Sequence, residues 1–276
     1  NYNEIYIKCK EKTGNERLVN FIIRAFDDGV GFRYEIPEQP TVDSIIITDE
    51  LTSFTFSDDP TCWWIPAYRD NRYEYLYTQS LLSEVDTVHT PFTLETKKGL
   101  DICIHEAALV NYPSMTLAHI GLNKLKCDLV PWSDGIKVKI KGRLTTPWRT
   151  IQIAEKPGDL ITSYMNLNLN EPCKLTDVSW IKPIKYMGIW WAMHIGKYTF
   201  WESEKQGATT KHAKMYIDFA SKYGIKHLLI EGWNKGWAPD WYVDKLHFFS
   251  FTQSAENYNF DEVIEYAKSK CVNIIG

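Results

Sequence analysis

Short apolar runs alternate with amphipathic segments in the last third of the chain, and this alternation constrains the fold more than any other feature of the sequence. The runs at 187–193, 225–230 and 272–275 predict buried strands. Strands that are separated by helices are typical of a parallel sheet, because each crossover must return the chain to the same end of the sheet. We therefore expect these three strands to be parallel neighbours.

Two helices are predicted between the strands. Thr209 or Thr210 can cap the first helix, and Asn259, with Glu262 three residues later, resembles the N-cap of the second. Gly224 is expected to end the first helix. Apolar residues at helical spacing predict the buried stripes of the two helices, which are Met215, Tyr216, Phe219, Ala220 and Tyr223 in the first and Phe260, Val263, Ile264 and Ala267 in the second.

The predicted second strand ends abruptly in polar and aromatic residues. Glu231, Trp233 and Asn234 follow the apolar run there, where a (β/α)8 barrel carries its ligand-facing residues. Such a barrel needs eight strands, and only three are predicted. The sequence therefore predicts the opening βαβαβ of a (β/α)8 TIM barrel, in an incomplete fragment that also lacks its true start.

The region from Asn1 to about Leu169 has the texture of an all-β domain. Short strand-like runs are separated by turn signals such as Asp28-Gly29, Lys98-Gly99 and Asp134-Gly135. Many short strands with glycine turns predict a β-sandwich. We place the boundary near Asp177, which gives a β-sandwich domain at 1–177 and the first part of the (β/α)8 barrel at 178–276.

Composition excludes several classes of function. A net charge of -4 and a pI near 6.0, without a long basic run, argue against nucleic acid or an anionic membrane surface as a partner. No apolar stretch is long enough to cross a bilayer, and no glycine-rich nucleotide-binding loop occurs. The six cysteines are scattered without metal-ligand spacing, so we expect small buried hydrophobic residues rather than a metal centre.

Tryptophan is abundant, with 11 residues that include the pairs Trp63-Trp64 and Trp190-Trp191. Aromatic faces pack against the C–H faces of sugar rings, and nearby carboxylates and amides bind sugar hydroxyls, so Trp beside Glu and Asn suits a carbohydrate site. Most tryptophans of a globular chain fill its core instead. Trp233 has the better position for a ligand, since it lies just after a strand.

Individual polar residues leave several roles open. Glu231 is a candidate acid, base, metal ligand or helix-capping anchor. Glu106 continues the apolar face of Ile102 and Ile104, so its carboxylate needs a cation, a base or several hydrogen-bond donors nearby, unless it faces water at the strand end. His194 and His212 are candidates for contacts with sugar hydroxyls, or ordinary structural histidines.

Six strings, taken in their order, carry a resemblance that covers about residues 60–276. They are Trp63-Trp-Ile-Pro66, Tyr73-Glu-Tyr-Leu-Tyr77, His105-Glu-Ala-Ala-Leu109, Trp190-Trp-Ala-Met-His194, Gly207-Ala-Thr-Thr210 and Glu231-Gly-Trp-Asn-Lys-Gly-Trp237. Together they resemble glycoside hydrolase family 97, a family of calcium-dependent α-glucosidases and α-galactosidases.

The resemblance implies a β-supersandwich followed by a catalytic (β/α)8 barrel. It implies that Glu106 is the glutamate that the sandwich lends to a Ca²⁺ site, and that Trp233 occupies the position of an active-site tryptophan. The general acid, the base or nucleophile, and the other calcium ligands would lie beyond Gly276. An exported or periplasmic location is also implied.

The resulting hypothesis is part of an exo-acting α-glycosidase, most simply an α-glucosidase, that hydrolyses terminal α-linked sugars of an oligosaccharide with calcium assistance. We expect substrate contacts from Trp233, Glu231, Asn234 and His194, and a metal contact from Glu106. The alternatives are an α-galactosidase of the same family, a non-catalytic carbohydrate-binding or structural module, and a sandwich-plus-barrel enzyme for another glycan linkage.

Overall fold

A computed structural model describes residues 1–69, 73–239 and 249–276. The chain divides into two compact units, Asn1–Lys174 and Leu175–Gly276. The division falls close to Asp177, where the sequence predicts the boundary between the two domains.

The first unit is built mainly from antiparallel strands. In the described part of this unit the strands are β1 (Asn3–Lys10), β2 (Leu18–Phe26), β3 (Gly29–Ile36), β4 (Ser44–Ile47), β5 (Ser53–Thr55), β6 (Thr61–Trp64), β7 (Thr78–Leu81), β8 (Thr87–His89), β9 (Phe92–Glu95), β10 (Asp101–Ala107), β11 (Met115–His119), β12 (Lys124–Leu129), β13 (Val138–Lys141), β14 (Leu144–Thr145) and β15 (Trp148–Ala154). A short 3-10 helix, Leu82–Glu84, and two short helices, α1 (Pro157–Thr162) and α2 (Met165–Asn168), complete it.

These strands form layered sheets, which confirms the predicted sandwich-like region. The larger sheet has the order β1-β2-β3-β15-β10-β9-β6-β7, with β14 also paired to β3. A second sheet has the order β5-β12-β11-β8, and β13 pairs with β4. All of these pairings are antiparallel.

The core of the first unit gathers apolar side chains from both of its main sheets. Phe92, Leu94 and Ile104 come from the larger sheet, and Leu117 and Leu125 come from the smaller one. Alternation along each strand puts these residues on one face, so a sheet that buries that face must pack against another layer.

The second unit contains a parallel three-stranded sheet with helices between its strands. In its described residues the elements are β16 (Tyr186–Gly188), α3 (Trp190–His194), α4 (Thr210–Lys222), β17 (His227–Leu229), α5 (Phe260–Ser269) and β18 (Asn273–Ile275). β16 and β18 both pair with β17 in parallel, so the three predicted strands are parallel neighbours as expected.

The first predicted strand is too long, and this part of the prediction is wrong. β16 ends at Gly188, and Trp190–His194 is a helical turn rather than the end of the strand. The reason is the partner: β17 ends at Leu229, opposite Gly188, and offers no further residues for the ladder. A short apolar run reads alike as buried strand or buried helix, so periodicity alone could not place this boundary.

The helix caps are confirmed, but the predicted stripe of the first helix is wrong in part. Thr209 caps α4 by accepting a hydrogen bond from the His212 N–H, and Asn259 caps α5 by accepting one from the Glu262 N–H. α4 buries small and branched side chains, while most of the predicted large ones are exposed. The buried residues are Ala213, Ile217 and Ala220, and the exposed ones are Met215, Phe219 and Tyr223.

The physical reason is that alanine side chains let α4 lie close to the elements packed against it, whereas bulky side chains fit better at the border of the buried face. α5 buries Val263 and Ala267, whereas Phe260 is exposed.

The expectation that the cysteines are buried is also wrong in part: Cys62, Cys103 and Cys127 are buried, but Cys9, Cys173 and Cys271 are exposed. Within the described ranges, the helices are too short or too polar to span a bilayer.

Candidate functional site

The carboxyl ends of the parallel strands meet at one edge of the second unit's sheet. Gly188 lies opposite Leu229, and Leu229 lies opposite Ile275, so the residues that follow all three strands emerge side by side. The Ile189 N–H donates to the Leu229 carbonyl, and the Ile230 N–H donates to the Ile275 carbonyl, which holds the first residue beyond β16 and β17 in place. Ligands of open parallel sheets and of barrels bind at this edge.

Glu231 and Gly232 form the turn that leaves β17. Glu231 is half-buried, immediately after the buried Ile230. Gly232 has φ +84°, and a Cβ there would lie 2.8 Å from the Phe200 carbonyl oxygen. Only glycine satisfies both conditions, and this residue therefore lets the backbone turn after β17.

Trp233 lies at the wall of a cavity. It is half-buried, with its ring centroid 5.4 Å from that of Phe260 and 6.4 Å from that of Tyr258. The cavity has a volume of about 430 Å³ and is also lined by Phe251 and Asp261. Its lining mixes aromatic rings with polar side chains, and small-molecule sites use both kinds of group. The position is therefore compatible with a sugar contact.

Asn234 serves the loop itself. The residue is buried; its Nδ2 donates to the Ser250 carbonyl at 2.8 Å, and its Oδ1 accepts from the Trp237 Nε1–H at 3.0 Å. Trp237 in turn stacks on Phe200, with ring centroids 5.0 Å apart. Both ends of the Asn234 amide thus hold the turn after β17, and the expected contact of this side chain with a sugar stays a prediction.

His194 lies on an exposed aromatic cluster at the end of α3. Its ring stacks on Trp190 with a centroid distance of 4.6 Å and lies 5.2 Å from the ring of Trp191. Trp191 is 61% exposed, and His194 is exposed as well. The cluster follows β16, whereas Glu231, Trp233 and Asn234 follow β17, so the fold brings these residues to the same edge of the sheet. His212 instead stacks on Tyr198 and hydrogen-bonds to the Gly207 carbonyl.

Glu106 lies inside the first unit as part of a buried ionic cluster. Its Oε2 accepts from Arg149 Nη1 at 2.7 Å, and its Oε1 accepts from the Met115 N–H at 3.1 Å. Arg149, which is 0% exposed, also donates from Nε and Nη2 to the two carboxylate oxygens of Glu50, at 2.9 and 2.6 Å. The Tyr112 hydroxyl donates to Glu50 Oε2 at 2.9 Å. Of the partners expected for Glu106, the structure provides a cation and a backbone donor.

The electrostatics of this cluster follow from its composition. Desolvation by burial raises the pKa of the Glu50 carboxyl, but the hydrogen bonds and charge of Arg149 outweigh it, so the pKa lies below the ordinary value. Burial and the neighbouring Glu50 both raise the pKa of the Tyr112 hydroxyl. Two carboxylates face one guanidinium, which leaves one formal negative charge in a buried place.

The cluster has part of what a calcium site requires. Carboxylate oxygen is the ligand that Ca²⁺ prefers, and the surplus negative charge suits an added cation. Ca²⁺ takes about six to eight oxygen ligands, however, and Glu106 supplies a single carboxylate. Among the residues described, no three His, Cys, Asp or Glu side chains gather closely enough to hold a metal ion. Further ligands would have to come from outside these residues.

Sequence reasoning missed Arg149 and Glu50. The signal for Arg149 was present, because alternation along β15 puts it on one face with Ile151, as Glu106 continues the apolar face of β10. The register pairs Glu106 directly with Arg149. Glu50 lies in a loop between β4 and β5, where no periodicity marks it.

Comparisons with known proteins agree over the whole chain. Residues 1–172 match the family model described as the glycosyl-hydrolase 97 N-terminal domain, and residues 190–276 match the glycoside hydrolase 97 model. The chain is 47% identical to a glycoside hydrolase family 97 enzyme from Pseudoalteromonas sp. strain K8 that was solved with acarbose, and a variant of that enzyme was solved with panose. Each match covers 100% of this chain and 42% of the other, with a TM-score of 0.91.

A more distant relative is a retaining alpha-galactosidase from Bacteroides thetaiotaomicron strain VPI-5482, which is 25% identical over 310 aligned positions. That match covers 99% of this chain and 43% of the relative. The chain thus spans less than half the length of the relatives it matches. Because the N-terminal family model alone matches more than half of the chain, and the second model matches residues 190–276, the chain belongs to glycoside hydrolase family 97.

Proposed function

We propose that this chain is part of an exo-acting α-glucosidase that removes terminal glucose from α-linked oligosaccharides. The observation that carries the proposal is the 47% identity, across the whole chain, to an enzyme that was solved with acarbose. Panose, found with a variant of the same enzyme, is built from α-linked glucose units alone. Trp233, at the wall of a cavity beyond β17 that is lined by both aromatic and polar side chains, supports a contact with a sugar ring.

The proposal includes a complete (β/α)8 barrel in the parent enzyme. β16, β17 and β18, with α4 and α5 between them, would be its opening βαβαβ. Glu231 and the Trp190–His194 turn would then face the ligand from the carboxyl ends of the first two strands. The acid and the base or nucleophile would come from later strands, so we expect the 276-residue chain to be inactive by itself.

An α-galactosidase is the second candidate. It is favoured by the similarity to the retaining alpha-galactosidase, which also extends over nearly the whole chain. The lower identity of 25%, against 47% for the enzyme solved with acarbose, is the reason to place it second.

The test is a substrate comparison on the full-length enzyme. We expect kcat/KM for p-nitrophenyl α-glucoside to exceed that for the α-galactoside by at least about tenfold, a difference of about 1.4 kcal/mol in transition-state binding. A reversed preference would establish the α-galactosidase. Hydrolysis of neither substrate, with binding of maltotriose retained, would establish a non-catalytic carbohydrate-binding module.

We further propose that Glu106 is the sandwich's ligand to a Ca²⁺ ion whose other ligands come from outside this chain. When bound, the ion would polarise the oxygens of the site where the leaving group is protonated. The surplus negative charge of Glu50, Glu106 and Arg149 supports this proposal, and Arg149 holds the Glu106 carboxylate in one orientation.

A chelator should abolish the activity of the full-length enzyme, and added Ca²⁺ should restore it. Glu106→Gln is nearly isosteric and should keep the fold, but it should weaken calcium binding and activity together because a formal charge is removed from the ligand shell. Glu84→Gln, on the short 3-10 helix of the same unit, is the control and should leave calcium affinity unchanged. Wild-type calcium affinity in Glu106→Gln, measured by calorimetry, would refute the assignment.

A periplasmic or otherwise exported location is part of the same proposal. Cell fractionation would test it.

A further inference from the structure

A second cavity lies on the first unit, where the loop between β10 and β11 meets the segment between β12 and β13. Its volume is about 540 Å³, and its walls include Asn111, Tyr112 and Trp132. This size falls within the roughly 300–1,000 Å³ that small-molecule sites usually occupy. None of the contacts described for Trp233 involves these residues.

Trp132 presents its ring to solvent from a fixed backbone. Its N–H donates to the Ile136 carbonyl at 2.8 Å, and its carbonyl accepts from the Gly135 N–H at 2.9 Å, so the turn at 132–136 holds the residue at both polar atoms. The residue is nevertheless 63% exposed. An exposed indole on a fixed backbone is a feature of binding surfaces, because only the two side-chain torsions have to be ordered when a ligand packs on the ring.

The opposite wall is a loop in an unusual conformation. Ala108 and Asn111 have φ of +55° and +51°, values that residues other than glycine seldom adopt. The Ala108 N–H is held by Asn170 Oδ1 at 2.9 Å, and the Tyr112 hydroxyl is held by Glu50 of the buried cluster. Such conformations persist only where the surroundings enforce them, and they concentrate at functional sites.

The charges at the cavity are already paired. The Lys137 ammonium donates to the Leu129 carbonyl and lies 3.6 Å from an Asp128 carboxylate oxygen, and Lys139 is ion-paired with Asp134. An anion-binding site would instead present lysine or arginine side chains that have no acidic partner. A neutral ligand that stacks on an indole and exchanges hydrogen bonds at its rim fits these walls better, and a sugar ring has both properties.

We propose that this cavity, defined by Trp132, Tyr112 and Asn111, is a binding subsite for a neutral α-glucan, with one pyranose ring stacked on Trp132. The choice of an α-glucan rests on the proposed function. The contacts of this subsite with the glucan would be made by the sandwich alone.

The test begins with direct binding of maltoheptaose to the 276-residue chain, measured by isothermal titration calorimetry. Wild type should bind with Kd on the order of 1 mM or tighter. Trp132→Ala should weaken the affinity at least about fivefold, and Trp132→Phe, which keeps an aromatic face, should recover most of it. Trp180→Ala is the matched control, because Trp180 is 69% exposed but lies in the other unit, and it should bind like wild type.

Three results would overturn the proposal. The first is the absence of binding at millimolar concentration, and the second is an unchanged affinity in Trp132→Ala. The third is displacement of maltoheptaose by inorganic phosphate, which would mean that the cavity takes anions. Because the readout is binding rather than hydrolysis, a negative result leaves the glucosidase assay unaffected, and a failed glucosidase assay leaves this result standing.

The full-length enzyme distinguishes a glucan from another occupant, namely a further segment of the same protein. If the cavity is open there, Trp132→Ala should raise KM for maltoheptaose at least about threefold, whereas Trp180→Ala should not. An unchanged KM, together with binding by the shorter chain, would show that the rest of the protein covers the cavity, and the proposal would fail.

Discussion

Replacing Arg149 by Met should destabilise the first unit more than any other single change that leaves side-chain volume nearly unchanged. The guanidinium is fully buried and donates three hydrogen bonds, one to Glu106 and two to Glu50, at 2.6–2.9 Å. Removing one partner of a buried ionic cluster leaves the other charges uncompensated and typically costs about 3–5 kcal/mol. Here two carboxylates lose their common cation, so we expect a loss toward the upper end of that range.

A loss of this size is a large part of the total stability of a domain, which is roughly 5–15 kcal/mol. Arg149→Lys keeps the charge but cannot donate to Glu50 and Glu106 in the same forked geometry, so we expect a smaller loss. Arg17→Met is the matched control. Arg17 pairs with Glu11 at the surface, at 2.7 Å, and solvent screens that pair, so the control should unfold like wild type.

The pH dependence separates a charge effect from a packing effect. In wild type, Arg149 holds the pKa of Glu50 below its ordinary value, so the stability from this pair is present above the ordinary pKa and is lost as pH falls through the lowered one. Without Arg149, the hydrogen bonds from Thr52 and Tyr112 remain, but the guanidinium no longer offsets desolvation, so the pKa of Glu50 should rise. The variant should therefore gain stability as pH falls from 7 toward about 5, where wild type does not.

Urea unfolding of the three variants, between pH 5 and pH 7, measures the free energies. Native-state hydrogen exchange at the amides of β10 and β15 shows that the change belongs to the first unit, since it reports opening there and not in the second unit. Two results would refute the view that Arg149 compensates both carboxylates. One is a loss of less than about 1 kcal/mol in Arg149→Met at pH 7, and the other is an Arg149→Met variant that, like wild type, gains no stability as the pH is lowered from 7 to about 5.

Three further predictions concern the second unit and the turn after β17. Gly232→Ala should lower the free energy of unfolding by about 1–3 kcal/mol, because the new Cβ would be strained by the positive φ and would also meet the Phe200 carbonyl oxygen. Gly99→Ala, with φ +78° but open space around the new Cβ, is the control and should lose less stability in the same thermal melt. Equal losses in the two variants would show that the structure shifts to avoid the contact with Phe200. Asn259→Ala should cost about 1 kcal/mol by removing the cap of α5, which circular dichroism would detect as a lower melting temperature, whereas an unchanged melt would count against the cap. Trp233→Ala in the full-length enzyme should lose about 1–3 kcal/mol of transition-state binding, measured as kcat/KM, and unchanged kinetics with a normal fold would assign Trp233 to the core.

The element types were largely predictable because they depend on local pattern. Period-2 alternation marked the antiparallel strands, and the residues at 209 and 259 marked the starts of two helices by their capping chemistry. The boundary at Gly188 was not predictable, since it depends on where a partner strand 41 positions later ends, at Leu229. The buried face of α4 also depended on what packs against it rather than on hydrophobicity alone.

Candidate site residues divide along the same line. The sequence by itself placed Glu231, Trp233 and Asn234 directly after a strand, and it identified Glu106 as a carboxylate that needs a partner, because both conclusions follow from the period of a strand. Only the tertiary structure decided that Asn234 holds its own loop together, and that the partner of Glu106 is Arg149, 43 positions away. Hydrogen bonds and ion pairs are short-ranged, so a residue's partners depend on how distant segments are brought together by the fold, and no local pattern contains that information.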